Sequence, residues 1–396
     1  MNNPPLLSVV IATKNRQKYC IEAIQSILAI SSDLIQIAIA DNSDTPDIQQ
    51  YLEANPNSQV IYTYDGSPLS SIDNFNKCVS LATGEYVIMI GDDDTVLPNI
   101  IETTQWMKLN NIESIGCKSY IDFIWPNNAH VVSKNGRLII PGYSNKIEEI
   151  NIENNLTSLI KSGFINYQRY NLPRIYHGIV KRALLETVFE KVGYFYGGLT
   201  PDMYSTVALS NVTKVHYIVD YPFSVAGACQ SSTSVSSLSS DHSGYLSDAP
   251  HFKNRTDNYN WEKQVPRFYS VETIWAETGV KALYELGRAD LVELFDIYKL
   301  SAYAILANLK YIKTSSFRRL IFLFRLSITE GIKIHKPLKI NYFKHVTKLV
   351  STTFSVAFDL LKSKKNQPSQ PSQVYTEIYG WKDVLGKLDD TVFRNT

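Results

Sequence analysis

The first hundred residues predict an α/β fold built on a parallel sheet, and three observations carry that reading. Short, continuous apolar runs such as LLSVVIA (Leu6 to Ala12) have the length and composition of strands buried on both faces. Segments with apolar residues at helical spacing separate these runs. Every run ends in polar residues at its carboxyl end, the edge at which open α/β sheets bind ligands.

Taken in order, the first run is followed by Thr13, Lys14, Asn15 and Arg16, and then by a helix marked by Cys20, Ile21, Ile24, Ile27 and Leu28. Ile35 to Ala40 is the second strand, closing on Asp41, Asn42 and Ser43, and a polar helix spans about Pro46 to Ala54. Val60 to Tyr64 is the third strand, ending at Asp65 and Gly66. Ile72, Phe75, Val79 and Ala82 mark the buried stripe of the next helix, with Gly84 expected to end it in a left-handed conformation. The fourth strand, Tyr86 to Ile90, runs through Gly91 into Asp92, Asp93 and Asp94. Four such units with polar ends on one edge form a nucleotide-binding layout.

Three adjacent carboxylates repel one another, so a divalent cation or solvent must offset them. Alternatively, they form a polar turn that starts the next helix. Hard oxygen ligands on a short turn suit Mg or Mn, and such a cation suits a diphosphate. The chain has neither a dinucleotide glycine fingerprint after the first strand nor a GxxxxGK[ST] loop, so phosphate has to be held by other means.

LSVVIATKNR, the strand end ADNS, the helix NFNKCVSLATGEY and the loop GDDDTVLP, in that order and at these separations, closely resemble the nucleotide-binding half of a family 2 glycosyltransferase. The resemblance covers residues 6 to 110 and extends to about residue 225 through HGIVKRALLE and GGLTPDMY. It implies a GT-A (Rossmann-like) nucleotide-sugar-binding fold followed by a mostly helical C-terminal region. By the same resemblance, Thr13, Asn15 and Arg16 line the nucleotide pocket, Asp41 reaches the base, and Asn74 to Lys77 lie near the diphosphate. Asp92, Asp93 and Asp94 stand at the metal-binding DXD motif, with Asp92 also beside the nucleotide. Gly91 occupies the motif's usual first Asp position, which leaves open which two aspartates touch the metal; Asp93 is favoured as the direct ligand. From the residues alone, Thr13 and Asn15 equally suit caps of the first helix, and Asp41 with Ser43 a local turn.

Farther on, IYHGIV (Ile175 to Val180) reads as a strand, and a glycine-rich turn from Gly193 to Gly198 leads to Thr200, Pro201 and Asp202. Threonine at the cap and proline at the first helical position mark a helix start. There Asp202 either complements the helix dipole or acts as the catalytic base, the role that the resemblance gives to its position. Its place at a helix start is expected to lower its pKa. Asp122, Glu186 and Asp220 are weaker candidates, being placed in a strand, on a helix behind the sheet and in an edge strand.

The expected function is therefore inverting, metal-dependent transfer of a sugar from a nucleotide donor, with UDP as carrier and Mn or Mg as cofactor, to a glycan or lipid-linked hydroxyl. A nucleotidyltransferase shares the layout but brings a glycine-rich basic loop, whereas TKNRQKY has no glycine. An inactive sugar-nucleotide-binding scaffold is the alternative of a different class. The expected organisation is a nucleotide-sugar-binding half at 1–110 and an acceptor-binding half at 111–265 with a mobile serine-rich loop at 228–247. A basic helical region at 266–365 and a linker and tail at 366–396 complete the chain.

The net charge of +1 conceals an asymmetry. Residues 299–365 hold fourteen lysines and arginines against only Glu330 and Asp359, which points to an anionic membrane surface. Nucleic acid is not expected among the partners. Four widely spaced cysteines without a CxxC pair, no signal-like N-terminus and no window of about 18 uncharged apolar residues lead to an expected cytoplasmic location. The protein would lie peripherally on the inner face of the membrane.

Overall fold

A computed structural model describes residues 4–126, 134–231, 243–255, 257–307, 325–331, 333, 342–366 and 372–388. Most of the serine-rich loop and parts of the basic region (308–324, 332 and 334–341) lie outside the described residues.

The chain opens with β1 (Leu7–Thr13), α1 (Gln17–Leu28), β2 (Ile35–Asp41), α2 (Asp47–Ala54), β3 (Val60–Tyr64), α3 (Ser71–Ser80) and β4 (Tyr86–Ile90). It continues through β5 (Thr95–Val96), α4 (Ile100–Leu109), β6 (Ser114–Cys117), β7 (Ile121–Ile124), β8 (Arg137–Pro141) and β9 (Ile147–Glu149). Then come α5 (Ile152–Lys161), β10 (Gly178–Lys181), α6 (Arg182–Val192), α7 (Pro201–Ser210), β11 (His216–Val219) and β12 (Ser224–Ala228).

Eight strands form the main sheet in the order β3-β2-β1-β4-β10-β6-β11-β9. β1 to β4 pair in parallel, while β10 runs antiparallel to both β4 and β6. The apolar runs are continuous because both faces of this sheet are covered. Val9 and Ile11 of β1 enter the core on one side with α1, and Val10 enters the core on the other with α3.

Gly84 does not end α3 in a left-handed conformation: α3 is capped by Leu81 in the right-handed region. Its glycine is required by close approach, since a Cβ there would lie 2.6 Å from the Ser8 backbone nitrogen. The Gly84 N–H donates to the Ser8 hydroxyl, locking the α3–β4 connection onto β1.

A second sheet, joining β8, β7, β12 and β5, lies beside the first. Its outer strand is Ser372–Thr376, antiparallel to β8, so the expected linker and tail contribute a strand and the following helix Trp381–Leu388. Trp381, Val384 and Leu388 share a core with Phe123 and Trp125. The helices Val271–Glu285 and Ile297–Ala307 pack with α5 and α7 around a third core containing Leu156, Met203, Val280 and Leu300. The C-terminal region is thus helical, and Tyr342–Asn366 lies against Ile297–Ala307.

Candidate active site

The aspartate turn is built by donors from distant parts of the chain. Asp92, Asp93 and Asp94 are each at most 3% exposed, so each carboxylate needs partners. Asp92 accepts from the Thr13 hydroxyl at 2.6 Å and from Arg16 Nε at 3.0 Å, with Arg16 Nη2 at 2.7 Å from its other oxygen. Asp93 faces Arg16 Nη1 at 3.3 Å and accepts from the Cys229 N–H at 3.0 Å. Asp94 accepts from the Gly91 N–H, the Gly227 N–H, the Tyr176 hydroxyl and His177 Nε2.

These partners divide the three titrations. Burial pushes Asp92 up to about 7 and Asp93 upward too, helped by their acidic neighbours and opposed by Arg16. For Asp94 burial acts upward, but His177 and the surrounding N–H groups outweigh it and hold the pKa below the usual carboxylate range. Asp94 is thus the aspartate of the three with the most protein donors around it.

The residues present fit a hard cation. Two buried carboxylates share one guanidinium, leaving a surplus of negative charge on oxygen donors. No cluster of three or more His, Cys, Asp or Glu side chains with metal-binding geometry occurs among the described residues. A cation would therefore draw oxygens from its bound ligand or from water.

Thr13, Asn15, Arg16 and Asn74 line one cleft of about 690 Å³, together with Asn42, Asp44, Ser67 and Leu69. Thr13 and Asn15 are not helix caps, because the N-cap of α1 makes no side-chain bond. Thr13 instead holds Asp92, and Asn15, in a left-handed conformation at φ 57°, exchanges two hydrogen bonds with Asp44. Asn74 donates to the Thr13 and Ala40 carbonyls and aligns β1 with β2. Its own buried side-chain oxygen has no hydrogen-bond partner among the described residues.

Asp41 and Lys77 stand elsewhere. Asp41 is 0% exposed and accepts from the Ser43 N–H and the Tyr62 hydroxyl, so it does not form the cleft wall that the base-binding expectation requires. Asn42 and Asp44 line the cleft instead. Lys77 is ion-paired with Asp65 at 2.8 Å and does not line the cleft.

Asp202 opens α7 as expected, behind Thr200 and Pro201, but its pKa moves the other way. Burial raises it, against a hydrogen bond from Tyr167 and the charges of Arg174 and His177, and the helix start does not prevail. Tyr176, which donates to Asp94, feels the charges of Asp94, Asp93 and Asp202 together, so the base candidate lies within electrostatic reach of the same hydroxyl. Asp220 is occupied by the Ser144 N–H and hydroxyl, and Glu186 pairs with Arg182 on an exposed helix face.

Sequence reasoning missed Tyr176, His177, Gly227 and Cys229. His177 stands at φ 52° and bridges Asp94 to the Ser224 hydroxyl. The only local signal was the HGIV motif; that Gly227 and Cys229 give backbone N–H groups to aspartates more than a hundred residues away left no trace in the sequence.

Residues 8–165 match the family model described as Glycosyl transferase family 2. They form a family 2 glycosyltransferase domain. The putative colanic acid biosynthesis glycosyl transferase WcaA of Escherichia coli is 34% identical to this chain over 101 residues, 25% of this chain and 36% of that protein. The abequosyltransferase RfbV of Salmonella typhimurium is 32% identical over 106 residues, 25% of this chain and 32% of that protein. The matched stretch thus spans about a third of each relative. The S. aureus protein TarS 1-349, crystallised in complex with UDP-GlcNAc, superposes with a TM-score of 0.50 at 12% identity. That likeness covers 89% of this chain and 92% of that one, so the GT-A fold extends beyond the matched domain into the C-terminal half.

Proposed function

We propose that the protein is an inverting, metal-dependent glycosyltransferase that moves a sugar from a UDP donor to a hydroxyl of a glycan or lipid-linked acceptor, in cell-surface polysaccharide synthesis. The observation that carries this reading is the buried aspartate turn held by Thr13 and Arg16, two residues that also line the cleft. The names of WcaA and RfbV support the polysaccharide context, and the TarS complex supports the choice of carrier.

In this reading the cleft lined by Asn15, Asn42, Asp44 and Asn74 receives the nucleoside. Thr13 and Arg16 fix Asp92, while Asp93, whose contact with Arg16 is long, is the direct ligand for Mn or Mg. A bound divalent cation would supply neutralisation of the charge that builds on the departing diphosphate. Asp202 takes the proton of the acceptor hydroxyl as that oxygen attacks the anomeric carbon, and the new bond forms on the face opposite the leaving group. Burial makes Asp202 a better proton acceptor than a surface carboxylate.

The basic region is proposed to lie on an anionic membrane, with the chain on the cytoplasmic side. The helix Tyr342–Asn366 buries His345, Leu349 and Val356 and turns Phe354, Phe358 and Leu361 outward, flanked by Lys362. No helix among the described residues is long and apolar enough to cross a membrane.

The test is to incubate the full chain with UDP-, GDP- and dTDP-sugars plus Mn or Mg and to measure free nucleotide. Slow UDP release that stops in chelator is the expected result. Release of UMP and sugar 1-phosphate in place of UDP would indicate attack at phosphorus, the chemistry of a nucleotidyltransferase.

A further inference from the structure

One buried cation is left over by the site as described. Arg174 is 6% exposed, yet among the described residues it forms no ion pair. Its Nη2 donates to the Cys117 carbonyl at 3.4 Å and to the Tyr120 hydroxyl, and the guanidinium lies 5.4 Å from the centre of the Tyr120 ring. Its Nε and Nη1 groups make no hydrogen bond among the described residues. A largely buried charge is costly unless it is paired, and a guanidinium N–H without a protein acceptor suits an oxygen of a carboxylate or phosphate.

The position of Arg174 says which ligand would bring that group. Its charge acts on Asp202 and on Tyr167, so it stands on the base's side of the site. It does not line the cleft assigned to the nucleoside. The Tyr120 ring that it contacts packs edge-on against His177 at 5.5 Å, and His177 holds Asp94. Neither Nε nor Nη1 of Arg174 is among the fully buried atoms left without a partner, so both donors can be reached from solvent by a ligand.

We propose that Arg174 forms a subsite for an acidic group, a carboxylate or a phosphate, carried either by the acceptor or by the transferred sugar and held beside Asp202. The inference rests on the glycosyltransferase reading above and narrows its substrates to acidic ones.

Calorimetry on the full chain separates the two sources. In the donor arm, wild type and Arg174→Gln are titrated with UDP-glucuronic acid and UDP-glucose. In the acceptor arm, inorganic phosphate and glucuronate are titrated, with glucose as the neutral control, both with UDP bound and without nucleotide. The expected result is that wild type prefers the charged probe in one arm and that Arg174→Gln loses about ten- to hundredfold of that affinity. Affinity for UDP itself stays unchanged, and Arg174→Lys recovers part of the loss. A wild type that binds both charged probes no better than their neutral counterparts overturns the proposal, whatever the variants do. Failure to bind UDP would instead sink the glycosyltransferase reading, and the nucleotide-free phosphate titration still judges Arg174.

Discussion

Gly227 and Asp94 meet at 2.6 Å, the glycine N–H donating to the carboxylate across 133 residues of sequence. The approach is possible because a Cβ on Gly227 would stand 1.7 Å from the Asp93 carbonyl oxygen. Gly227→Ala must therefore push β12 off the aspartate turn. We expect a loss of about 1–3 kcal/mol in stability, together with loss of nearly all turnover. Denaturant unfolding and nucleotide release measured on one sample check this; an active, fully stable variant would show that the strand and the turn are not coupled.

Neighbouring aspartates should respond in opposite ways. Asp93→Asn removes charge from a pair that repels, so the melting temperature should hold or rise while turnover nearly vanishes. Asp94→Asn turns an amide toward four donors and should lower stability by about 3 kcal/mol. A thermally fragile Asp93→Asn beside a robust Asp94→Asn would reverse this expectation.

Asp202→Asn should lower transfer by about 10²- to 10⁴-fold while donor affinity stays nearly constant. Because burial raises the Asp202 pKa, the acidic limb of the rate profile should lie above the ordinary carboxylate range, and activity should fall as pH drops through it. Collapse of donor binding in the variant would make Asp202 a structural residue.

Glu277 gives a stability prediction independent of catalysis. It is 0% exposed, and burial pushes it up to about 8, although it accepts from the Glu262 N–H. An acid whose folded pKa is raised favours the protonated fold. Its contribution is complete below the unfolded value near 4.5 and is lost as pH rises through about 8. Thermal melts should therefore weaken from pH 5 to pH 9, by up to about 4 kcal/mol for this group, and Glu277→Gln should flatten the trend. A wild type equally stable at both ends would refute this.

Flotation with anionic liposomes tests the basic region. Binding should be clear at low salt, weaken at high salt, and fall further in Phe354→Ser/Phe358→Ser, which removes the exposed rings. Equal failure to float at both salt concentrations would argue for a merely solvated helix.

The first, second and fourth strands were legible because a strand buried on both faces leaves a nearly unbroken apolar run, as Leu7 to Ala12 does, whereas β3 at the sheet edge is only partly buried. The helix start before Asp202 was legible because Thr200 and Pro201 are local signals. What could not be read was set by distant neighbours. Gly84 resembled a helix terminator, but its role depends on Ser8. Asp41 resembled a ligand contact, but Tyr62 and Ser43 occupy it. The direction of the Asp202 shift depends on burial contributed by the whole fold, which outweighs the helix terminus that the sequence displays.

The strand Ser372–Thr376 and the helix after it set the order in which the working parts become available during translation. Trp125, whose indole donates to the Asp93 carbonyl at 3.0 Å, is packed edge-on against Trp381 at 5.3 Å, and Ile378 seals Gly136 on the same side. The ribosome makes Trp125 soon after Asp93, but the Trp381 ring that backs that indole follows 256 residues later. Until then the indole that holds the Asp93 carbonyl has Tyr19 and Phe123 against it but lacks its third aromatic neighbour.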